Sequence, residues 1–423
     1  MKYTLLGFGI SNKEILKYLL KKGERVFVSE GKKLSEVDKE FLNSFGVDFE
    51  ENGHTEKVLD SDVILVSPGI HFENDIIKKA KENNIKIDTE ISFCLKEFEK
   101  IYWFPYVIAV TGSVGKSTTV SMIQHVLNKY KRTLLAGNIG IPIAKLLNDD
   151  LRADYLVLEV SSFQLFWSDK FKPNISSILN IYPNHLNWHP DMNHYINSKF
   201  KITLSQDEND FFVYNPNDEY IVKNLGKVKA KKVPFKYDFE IHQLPEHLRY
   251  KQTIENVAAA KTIVEVAGFE FNIDFLEDFE KLPHRMEYVT EINGVKFFND
   301  SKATNAAAVI RAVENFDGKL HLIMAGIGKN EDYTLLRKVL KNSVKTVALV
   351  GPIAKDVKPY LDGINFMECS SINEAVNQLF RIANPGDVIM LSPGGASFDA
   401  FKNFEERGEY FKQLVFQLKE GKS

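Results

Sequence analysis

The chain has 423 residues, 44% hydrophobic and 26% charged, as in globular proteins that bury a substantial core. Its 54 basic and 57 acidic residues leave a net charge of −3, and the lysine-rich stretch 223–236 is expected to be the exposed face of a hairpin, so nucleic acid is not indicated as a partner. Two distant cysteines, Cys94 and Cys369, provide neither a disulfide framework nor metal-ligand spacing. No apolar run approaches the length of a membrane span, and the N-terminus lacks a signal-peptide pattern, so we expect a cytoplasmic protein of two or three domains without a membrane partner.

The N-terminal part of the chain predicts a nucleotide-binding unit. Its first two strands are expected at Lys2–Leu6 and Arg25–Ser29, because both runs are apolar, and a helix ending near Lys22 joins them. A glycine turn follows the first strand and an acid, Glu30, follows the second, which is the layout of a Rossmann-like half-fold. The glycine pattern is incomplete because Asn12 replaces its third glycine. A plain α/β turn therefore fits as well as a dinucleotide site, and a uridine or other mononucleotide ligand would tolerate the change.

A stretch near residue 110 predicts a phosphate-binding loop. Val107–Val110 is a β-branched apolar run typical of a buried strand, a loop of small residues follows, and helical spacing begins at Thr118. In such a loop the backbone N–H groups and the helix dipole face an anion, Lys116 reaches the terminal phosphates, and a hydroxyl of Ser117 or Thr118 holds Mg²⁺. The full pattern has glycine at the position of Val110, and the alternative is a Gly-Ser turn that precedes a lysine. The sequence favours an ATP site formed by Gly112, Ser113, Gly115, Lys116, Ser117 and Thr118.

Two further residues of the central part are candidate metal ligands. Glu159 lies near the end of the predicted strand Tyr155–Val160, where its carboxylate can approach the magnesium of a nucleotide on the neighbouring loop. A strand predicted at Ile178–Ile181 is followed by three histidines, of which His185 is nearest the strand end. Three histidines suggest zinc, but neither a cysteine nor a matching spacing supports a closed zinc site. We therefore retain His185 alone as a candidate ligand.

The chain changes domain near residue 282, and a third parallel α/β domain is expected beyond it. Its strands are predicted at Val295–Phe298, Leu320–Ala325, Thr346–Val350 and Val388–Leu391. Polar clusters follow these strands and would lie along one rim of the sheet, where such folds bind ligands; they occupy residues 299–305, 326–329 and 391–397. Lys302, Lys329 and Ser397 within them argue for an anionic, hydrogen-bonding ligand.

Four strings of residues together resemble the Mur ligase family: VTGSVGKSTT, LEVSSFQL, NDSKATN and LSPGGASFDAFKNFEERGEYF. The resemblance covers nearly the whole chain, and the last string is most similar to the members that add D-glutamate. It implies an α/β fold of three domains, with Rossmann-like N-terminal and C-terminal domains around a P-loop ATPase domain. We place these domains at residues 1–97 for the UDP-sugar, 98–281 for ATP and 282–423 for the amino acid.

The resemblance also implies roles for individual residues. Lys116 and Ser117 match the family's phosphate-loop lysine and magnesium-binding hydroxyl, and Glu159 matches its magnesium glutamate. His185 matches the histidine of a second metal, and Lys199 matches a lysine that the family carbamylates. The remaining matches concern ligands: Arg285, Asp300 and Lys302 for the nucleotide; Thr304, Lys329, Ser397 and Phe404 for D-glutamate; and Asn138, Ser161 and Gln164 for the substrate in the central domain.

Three positions depart from the family pattern. Asn184 and Asn187 replace two acids beside His185, which lowers the negative charge expected at the second metal. Thr253 stands where the family has an asparagine that contacts adenine, so the sequence does not predict how adenine is held.

The implied activity is ATP-dependent formation of an amide between D-glutamate and a UDP-sugar amino acid in peptidoglycan precursor synthesis. A carboxylate resists attack by an amine, and phosphorylation by ATP provides a better leaving group through an acyl phosphate. Two Mg²⁺ ions, a carbamylated Lys199 and a monomer are expected. A sibling ligase for another amino acid and a folylpolyglutamate synthetase are alternatives, as is a P-loop ATP-dependent switch, for which Glu159, His185 and Lys199 would be superfluous.

Overall fold

The computed structural model describes residues 1–168, 170–328, 331 and 333–421, and the chain forms two compact units. Unit 1 consists of Met1–Ile181, Asn193–Lys236 and Val257–Asn272. Unit 2 consists of Tyr182–Met192, Tyr237–Asn256 and Ile273–Ser423. Unit 1 contains two sheets and unit 2 contains the third, so the predicted domain limits at residues 97 and 281 do not coincide with the limits of the compact units and stay a prediction.

The first sheet of unit 1 has five parallel strands in the order β3-β2-β1-β4-β5. The strands are β1 Lys2–Leu6, β2 Arg25–Ser29, β3 Asp48–Glu50, β4 Val63–Val66 and β5 Lys86–Asp88. The helices are α1 Ile10–Lys21, α2 Glu36–Ser44, α3 Asp75–Glu82 and α4 Glu90–Lys100. Asn12, which replaces a glycine, donates from its side-chain amide to the carbonyl oxygen of Gly7 (2.7 Å) and to Ser67 Oγ (3.0 Å), so it ties the first turn to the loop after β4.

The second sheet of unit 1 has six parallel strands in the order β11-β10-β9-β6-β8-β7. The strands are β6 Tyr106–Thr111, β7 Thr133–Gly137, β8 Tyr155–Glu159, β9 Ile175–Ile178, β10 Phe211–Tyr214 and β11 Lys231–Pro234. The helices are α5 Lys116–Leu127, α6 Ile143–Asn148, α7 Ser162–Trp167, α8 Met192–Phe200, α9 Glu219–Asn224 and α10 Lys251–Val266. The first residue of α8 and the first six of α10 belong to unit 2. β6 lies between β9 and β8, where the order of the strands reverses. The loop after β6 therefore leaves the carboxyl end of this strand at the position where ligands of such folds bind.

The sheet of unit 2 has the order β12-β13-β17-β14-β15-β16. The strands are β12 Glu287–Ile292, β13 Val295–Asn299, β14 Leu320–Ala325, β15 Val344–Val350, β16 Phe366–Cys369 and β17 Val388–Gly394. The helices are α11 Ala306–Val313, α12 Thr334–Ser343, α13 Ile353–Val357, α14 Ile372–Ile382 and α15 Phe404–Lys419. Along β14, Leu322 and Met324 pack into one core cluster while Ile323 and Ala325 pack into another, so both faces of this strand are buried, as a parallel α/β sheet requires.

Three expectations about elements are wrong. The strand predicted at Ile178–Ile181 lies at Ile175–Ile178, because the buried Ser176 is satisfied by Gln206 Oε1 (2.7 Å) and its polarity hid the start of the strand. The lysine-rich stretch is not a hairpin, since β11 is an exposed edge strand that pairs in parallel with β10. The third sheet is not fully parallel, because β12 and β13 are joined by a tight turn and pair antiparallel.

The predicted α/β fold class is confirmed, with a Rossmann-like first sheet, a P-loop sheet and a third α/β sheet. Among the described residues, no helix is long and apolar enough to cross a membrane.

Candidate active site

The phosphate loop has the predicted order of strand, loop and helix. β6 ends at Thr111, and α5 begins at Lys116, slightly earlier than expected. Gly115 precedes the helix at φ +83°, a left-handed conformation that strains most side chains. Gly112 is closely packed, because an added Cβ would lie 3.0 Å from that of Leu179. The geometry of the loop therefore favours glycine at both positions, most strongly at Gly115.

Asn180 shapes the same loop, although the sequence alone did not predict this role. This residue follows β9, and only 1% of its surface is exposed. Its side-chain oxygen accepts hydrogen bonds from the backbone N–H groups of Ser113 (3.1 Å) and Val114 (2.9 Å), and its amide donates to the carbonyl of Val114 (3.2 Å). Because the N–H groups of Ser113 and Val114 already have an acceptor, a phosphate would bind to the N–H groups at the start of α5. The available sequence signal was an asparagine shortly after an apolar strand.

Two lysines converge on one carbonyl oxygen of the loop. Lys116 Nζ donates to the carbonyls of Gly112 (2.8 Å) and Ser113 (3.2 Å), and Lys199 Nζ donates to Gly112 as well (2.9 Å). Burial lowers the pKa of Lys199 well below its ordinary value, the charge of Lys116 lowers it further, and Glu159 acts in the opposite direction. The site thus favours a neutral amine at Lys199.

Tyr195 connects Lys199 to the loop. Both residues lie on α8 and are buried, and Lys199 Nζ is 4.6 Å from the centre of the Tyr195 ring. The hydroxyl of Tyr195 lies 2.9 Å from Ser113 Oγ. This tyrosine was not predicted, because its role depends on where α8 packs.

Glu159 fits the predicted role of a magnesium ligand. It ends β8 beside the last residues of β6, and one of its carboxylate oxygens accepts a hydrogen bond from the side-chain amide of Asn138 (2.7 Å). The other oxygen, Oε2, is buried and has no hydrogen-bond partner in the part of the chain that the structure describes. A buried carboxylate oxygen without a donor is costly, and it is the hard ligand that Mg²⁺ prefers. Ser117, buried in the first turn of α5, offers the expected hydroxyl.

Ser161 and Gln164, predicted as substrate residues, form the start of α7. Ser161 Oγ accepts a hydrogen bond from the backbone N–H of Gln164 (3.2 Å), and the Gln164 side-chain oxygen accepts one from the backbone N–H of Ser161 (2.9 Å). This capping box explains why a polar sequence begins a helix. Contact with a substrate stays a prediction for both residues.

His185 belongs to unit 2, whereas Lys199 belongs to unit 1. His185 is half-buried and has φ +59°, and its carbonyl accepts hydrogen bonds from the N–H groups of Trp188 and His189. Asn184 is buried, and its side-chain oxygen has no hydrogen-bond partner among the described residues. No group of three or more His, Cys, Asp or Glu side chains suited to a metal occurs in the described ranges. The second metal stays a prediction.

Asp300 is a buried carboxylate at the end of β13. Its oxygens accept hydrogen bonds from Ser392 Oγ (2.9 Å) and from the backbone N–H of Met286 (3.1 Å). Burial raises the pKa of Asp300 to about 7, and the hydrogen bonds and the charges of Arg285 and Lys281 oppose this rise only in part. Burial also lowers the pKa of Lys281 to about 8. Of these three charged residues, the sequence predicted Asp300 and Arg285 as site residues but not Lys281.

Three of the four residues predicted to bind D-glutamate lie in the described part of unit 2. Lys302 Nζ lies 3.7 Å from the centre of the Phe404 ring, so a residue predicted for the nucleotide contacts one predicted for the amino acid. Ser397 is buried, and Thr304 is half-buried in the loop after β13. The fourth, Lys329, lies outside the described residues.

A P-loop next to a buried carboxylate and a buried lysine defines a class of ATP-using enzymes, and comparison with known families identifies which one. Three family models match successive parts of the chain: a MurD N-terminal domain at residues 2–76, a Mur ligase middle domain at 110–276 and a Mur ligase glutamate ligase domain at 284–395. The chain belongs to the Mur ligase family, which confirms the resemblance found in the sequence.

Relatives with assigned names point to one member of that family. The UDP-N-acetylmuramoylalanine--D-glutamate ligase of Thermosipho africanus is 99% identical over 100% of both chains. A protein of the same name from Fervidobacterium nodosum is 52% identical, again over 100% of both chains. Among solved structures, the MurF ligase of Thermotoga maritima in complex with ADP has a TM-score of 0.63 at 16% identity, with 93% of this chain and 96% of that chain covered. That likeness supports the shared three-domain fold.

Proposed function

We propose that the chain is an ATP-dependent ligase that joins D-glutamate to UDP-N-acetylmuramoyl-L-alanine in peptidoglycan precursor synthesis. The observation that carries the chemistry is the cluster at the phosphate loop, in which Glu159 Oε2 is buried without a hydrogen-bond donor while Lys116 and Lys199 bond the same carbonyl. The choice of D-glutamate is supported by the name shared by relatives that are 52% to 99% identical.

The phosphate loop would hold the nucleotide through the first turn of α5. Backbone N–H groups at a helix N-terminus attract an anion, and Gly112, Ser113, Gly115 and Thr118 shape that end of the helix. Lys116 would exchange its two carbonyl partners for the terminal phosphates. Its charge would then screen the repulsion between the γ-phosphate and the acceptor carboxylate. Arg285, Asp300 and Lys302 are also proposed to contact the nucleotide.

Ser117 and Glu159 would hold one Mg²⁺, and His185 and Lys199 would hold a second. When bound, magnesium would neutralise charge on the phosphoryl group, which passes from ATP to the acceptor carboxylate and gives an acyl phosphate with ADP as the leaving group. The neutral amine of Lys199 can add to the carbon of CO₂: the N–C bond forms, the electron pair of one C=O π bond moves to its oxygen, and the proton that the nitrogen loses passes to water. The carbamate would supply two hard oxygen ligands in place of an ammonium group.

Different elements of the fold would bind the two substrates. Asn138, Ser161 and Gln164 lie near the end of β8 and would face the UDP-sugar acceptor. Thr304, Lys329, Ser397 and Phe404 would bind D-glutamate, with Lys329 and the hydroxyls holding the carboxylate that does not react. The amine then attacks the activated carbonyl, and the amide and phosphate are released. We expect a cytoplasmic monomer.

Release of inorganic phosphate tests the proposal. A panel combines ATP with UDP-N-acetylmuramoyl-L-alanine or no acceptor, and with D-glutamate, L-glutamate, D-alanine or no amino acid. A ligase releases phosphate in step with amide only when acceptor and amino acid are both present, and D-glutamate should exceed the other amino acids, because unpaired buried polar groups cost large factors in rate. Phosphate release without any acceptor would instead indicate an ATP-dependent switch. Equal rates with D-glutamate and D-alanine would refute the proposed pocket.

A further inference from the structure

Arg407 is the largest of the fully buried side chains in the described chain, with 1% of its surface exposed. It lies on α15, next to the helix start that carries Phe404. No carboxylate of the described residues lies within ion-pair distance of its guanidinium group. A buried, unpaired cation is costly unless its N–H groups are hydrogen-bonded, so its partners reveal what it does.

Within the described part of the chain, the side-chain hydrogen bonds of Arg407 join it to segments at one rim of the third sheet. Nε donates to Ser301 Oγ (3.0 Å) and Nη2 donates to the Ser301 carbonyl (2.9 Å). Nη1 donates to the carbonyls of Gly395 (3.0 Å) and Ala325 (3.3 Å). One planar group therefore links the loop after β13, the end of β14 and the loop after β17.

The same loops contain the residues proposed to bind the amino acid. Ser301 directly precedes Lys302 and lies in the segment with Thr304, while Gly395 lies two residues before Ser397. Ser301 Oγ also donates to the carbonyl of Phe404 (2.8 Å), which fixes the start of α15 to the first loop.

Gly326 shows how closely the guanidinium group fits against these loops. Its φ is +100°, and an added Cβ would lie 2.2 Å from the carbonyl oxygen of Ala396 and 2.9 Å from Arg407 Nη1. The loop after β14 therefore approaches both the guanidinium and the loop after β17 too closely for any side chain.

We infer that Arg407 is a positioning residue for the amino-acid pocket: its guanidinium fork fixes three rim loops and thereby sets the affinity for D-glutamate. The inference rests on the proposed function of the pocket. Lysine at this position would keep the charge, but its ammonium group cannot reach carbonyls on both sides of a planar fork. The variant Arg407→Lys therefore separates the effect of the guanidinium geometry from the effect of its charge.

The experiment measures phosphate release by the full chain with separate titrations of D-glutamate, ATP and acceptor. For Arg407→Lys we expect the KM for D-glutamate to rise at least about tenfold, since small misplacements of binding groups have effects of this size, while the KM for ATP changes less than about twofold. Ser301→Ala removes one acceptor of the fork without removing the cation, and we expect a smaller rise in the same KM. The matched control is Arg337→Lys, because Arg337, on α12, forms an exposed ion pair with Asp362.

Chemical rescue separates positioning from general destabilisation. In Arg407→Ala, millimolar guanidinium should restore part of the affinity for D-glutamate, whereas equal concentrations of sodium chloride should not. An unchanged KM for D-glutamate in Arg407→Lys and Ser301→Ala, or a parallel loss for all three substrates without rescue, would overturn the inference while the wild-type chain still uses D-glutamate. A wild-type chain that does not respond to D-glutamate would overturn the proposed function and this inference with it.

Discussion

Replacing Asp300 by asparagine should stabilise unit 2 at alkaline pH and weaken nucleotide binding. Asparagine can keep the acceptor for the N–H group of Met286, and its amide can donate to Ser392 Oγ, so the shape of the site is retained. What it removes is a buried carboxylate, 7% exposed, that must ionise within the fold.

The direction and size of this change in stability follow from the pKa of Asp300, which burial raises from 3.8 to about 7. Between these values the folded chain holds a proton that the unfolded chain has lost, so the free energy of unfolding falls as the pH rises and levels off above about pH 7. Each pH unit is worth about 1.4 kcal/mol, which gives a loss of roughly 3 kcal/mol between pH 5 and pH 8. The asparagine variant has no such loss. The free energy of unfolding of the variant, relative to that of the wild type, should therefore rise by about 3 kcal/mol between pH 5 and pH 8.

Hydrogen exchange of the amides in β13 and β17, measured at pH 5, 6.5 and 8, reports the stability of unit 2 separately from unit 1. Each variant is compared with the wild type at the same pH, so that intrinsic exchange rates cancel. Asp362→Asn is the control, because its side chain is 88% exposed. Parallel stability curves for the wild type and Asp300→Asn would refute the assignment of a buried, high-pKa carboxylate.

Three further predictions concern the phosphate loop. Lys116→Ala should abolish turnover and leave the fold intact, because loss of a phosphate-loop cation removes on the order of several kcal/mol of transition-state stabilisation; a folded variant with wild-type turnover would contradict the ATP site. Lys199→Arg should lose most activity, since arginine keeps the charge but cannot be carbamylated, and full activity together with no carbamate signal after labelling with enriched bicarbonate would exclude the modified lysine. Asn180→Ala should raise the KM for ATP about tenfold or more, with the KM for D-glutamate unchanged, because it removes the acceptor of the Val114 N–H group and leaves the Ser113 N–H group only the backbone carbonyl of residue 180. Equal effects on both substrates would point to a loss of stability alone.

The sequence predicted the elements that have a strong apolar pattern. Val107–Val110 and the helix after it required no tertiary information, because a β-branched run and helical spacing determine them locally. The strand at Ile175–Ile178 was predicted three residues too late, since two buried serines, Ser176 and Ser177, interrupt its apolar pattern, and the partner of Ser176, Gln206, is distant in the sequence.

The sequence predicted Glu159 from its place at the end of a strand beside the phosphate loop, and it predicted Lys199 through the family resemblance; the roles of both residues stay predictions. Asn180, Tyr195 and Arg407 were missed because they act through the backbone or side chains of distant segments. Their contacts depend on which strands are neighbours, and no local pattern contains that information. The sequence also did not predict that Tyr182–Met192 belongs to unit 2, because this grouping depends on contacts with distant segments.

Transfer of oxygen from the acceptor to phosphate tests the central claim most directly. The acceptor UDP-N-acetylmuramoyl-L-alanine is prepared with ¹⁸O in its free carboxylate and incubated with the wild-type chain, ATP, magnesium and D-glutamate. If the chain activates this carboxylate by phosphorylation, one labelled oxygen passes to inorganic phosphate for each amide formed. Mass spectrometry of the phosphate should therefore show one ¹⁸O atom per product molecule. Unlabelled phosphate, or phosphate released without D-glutamyl product, would contradict the assignment of this site as a carboxylate-activating ligase.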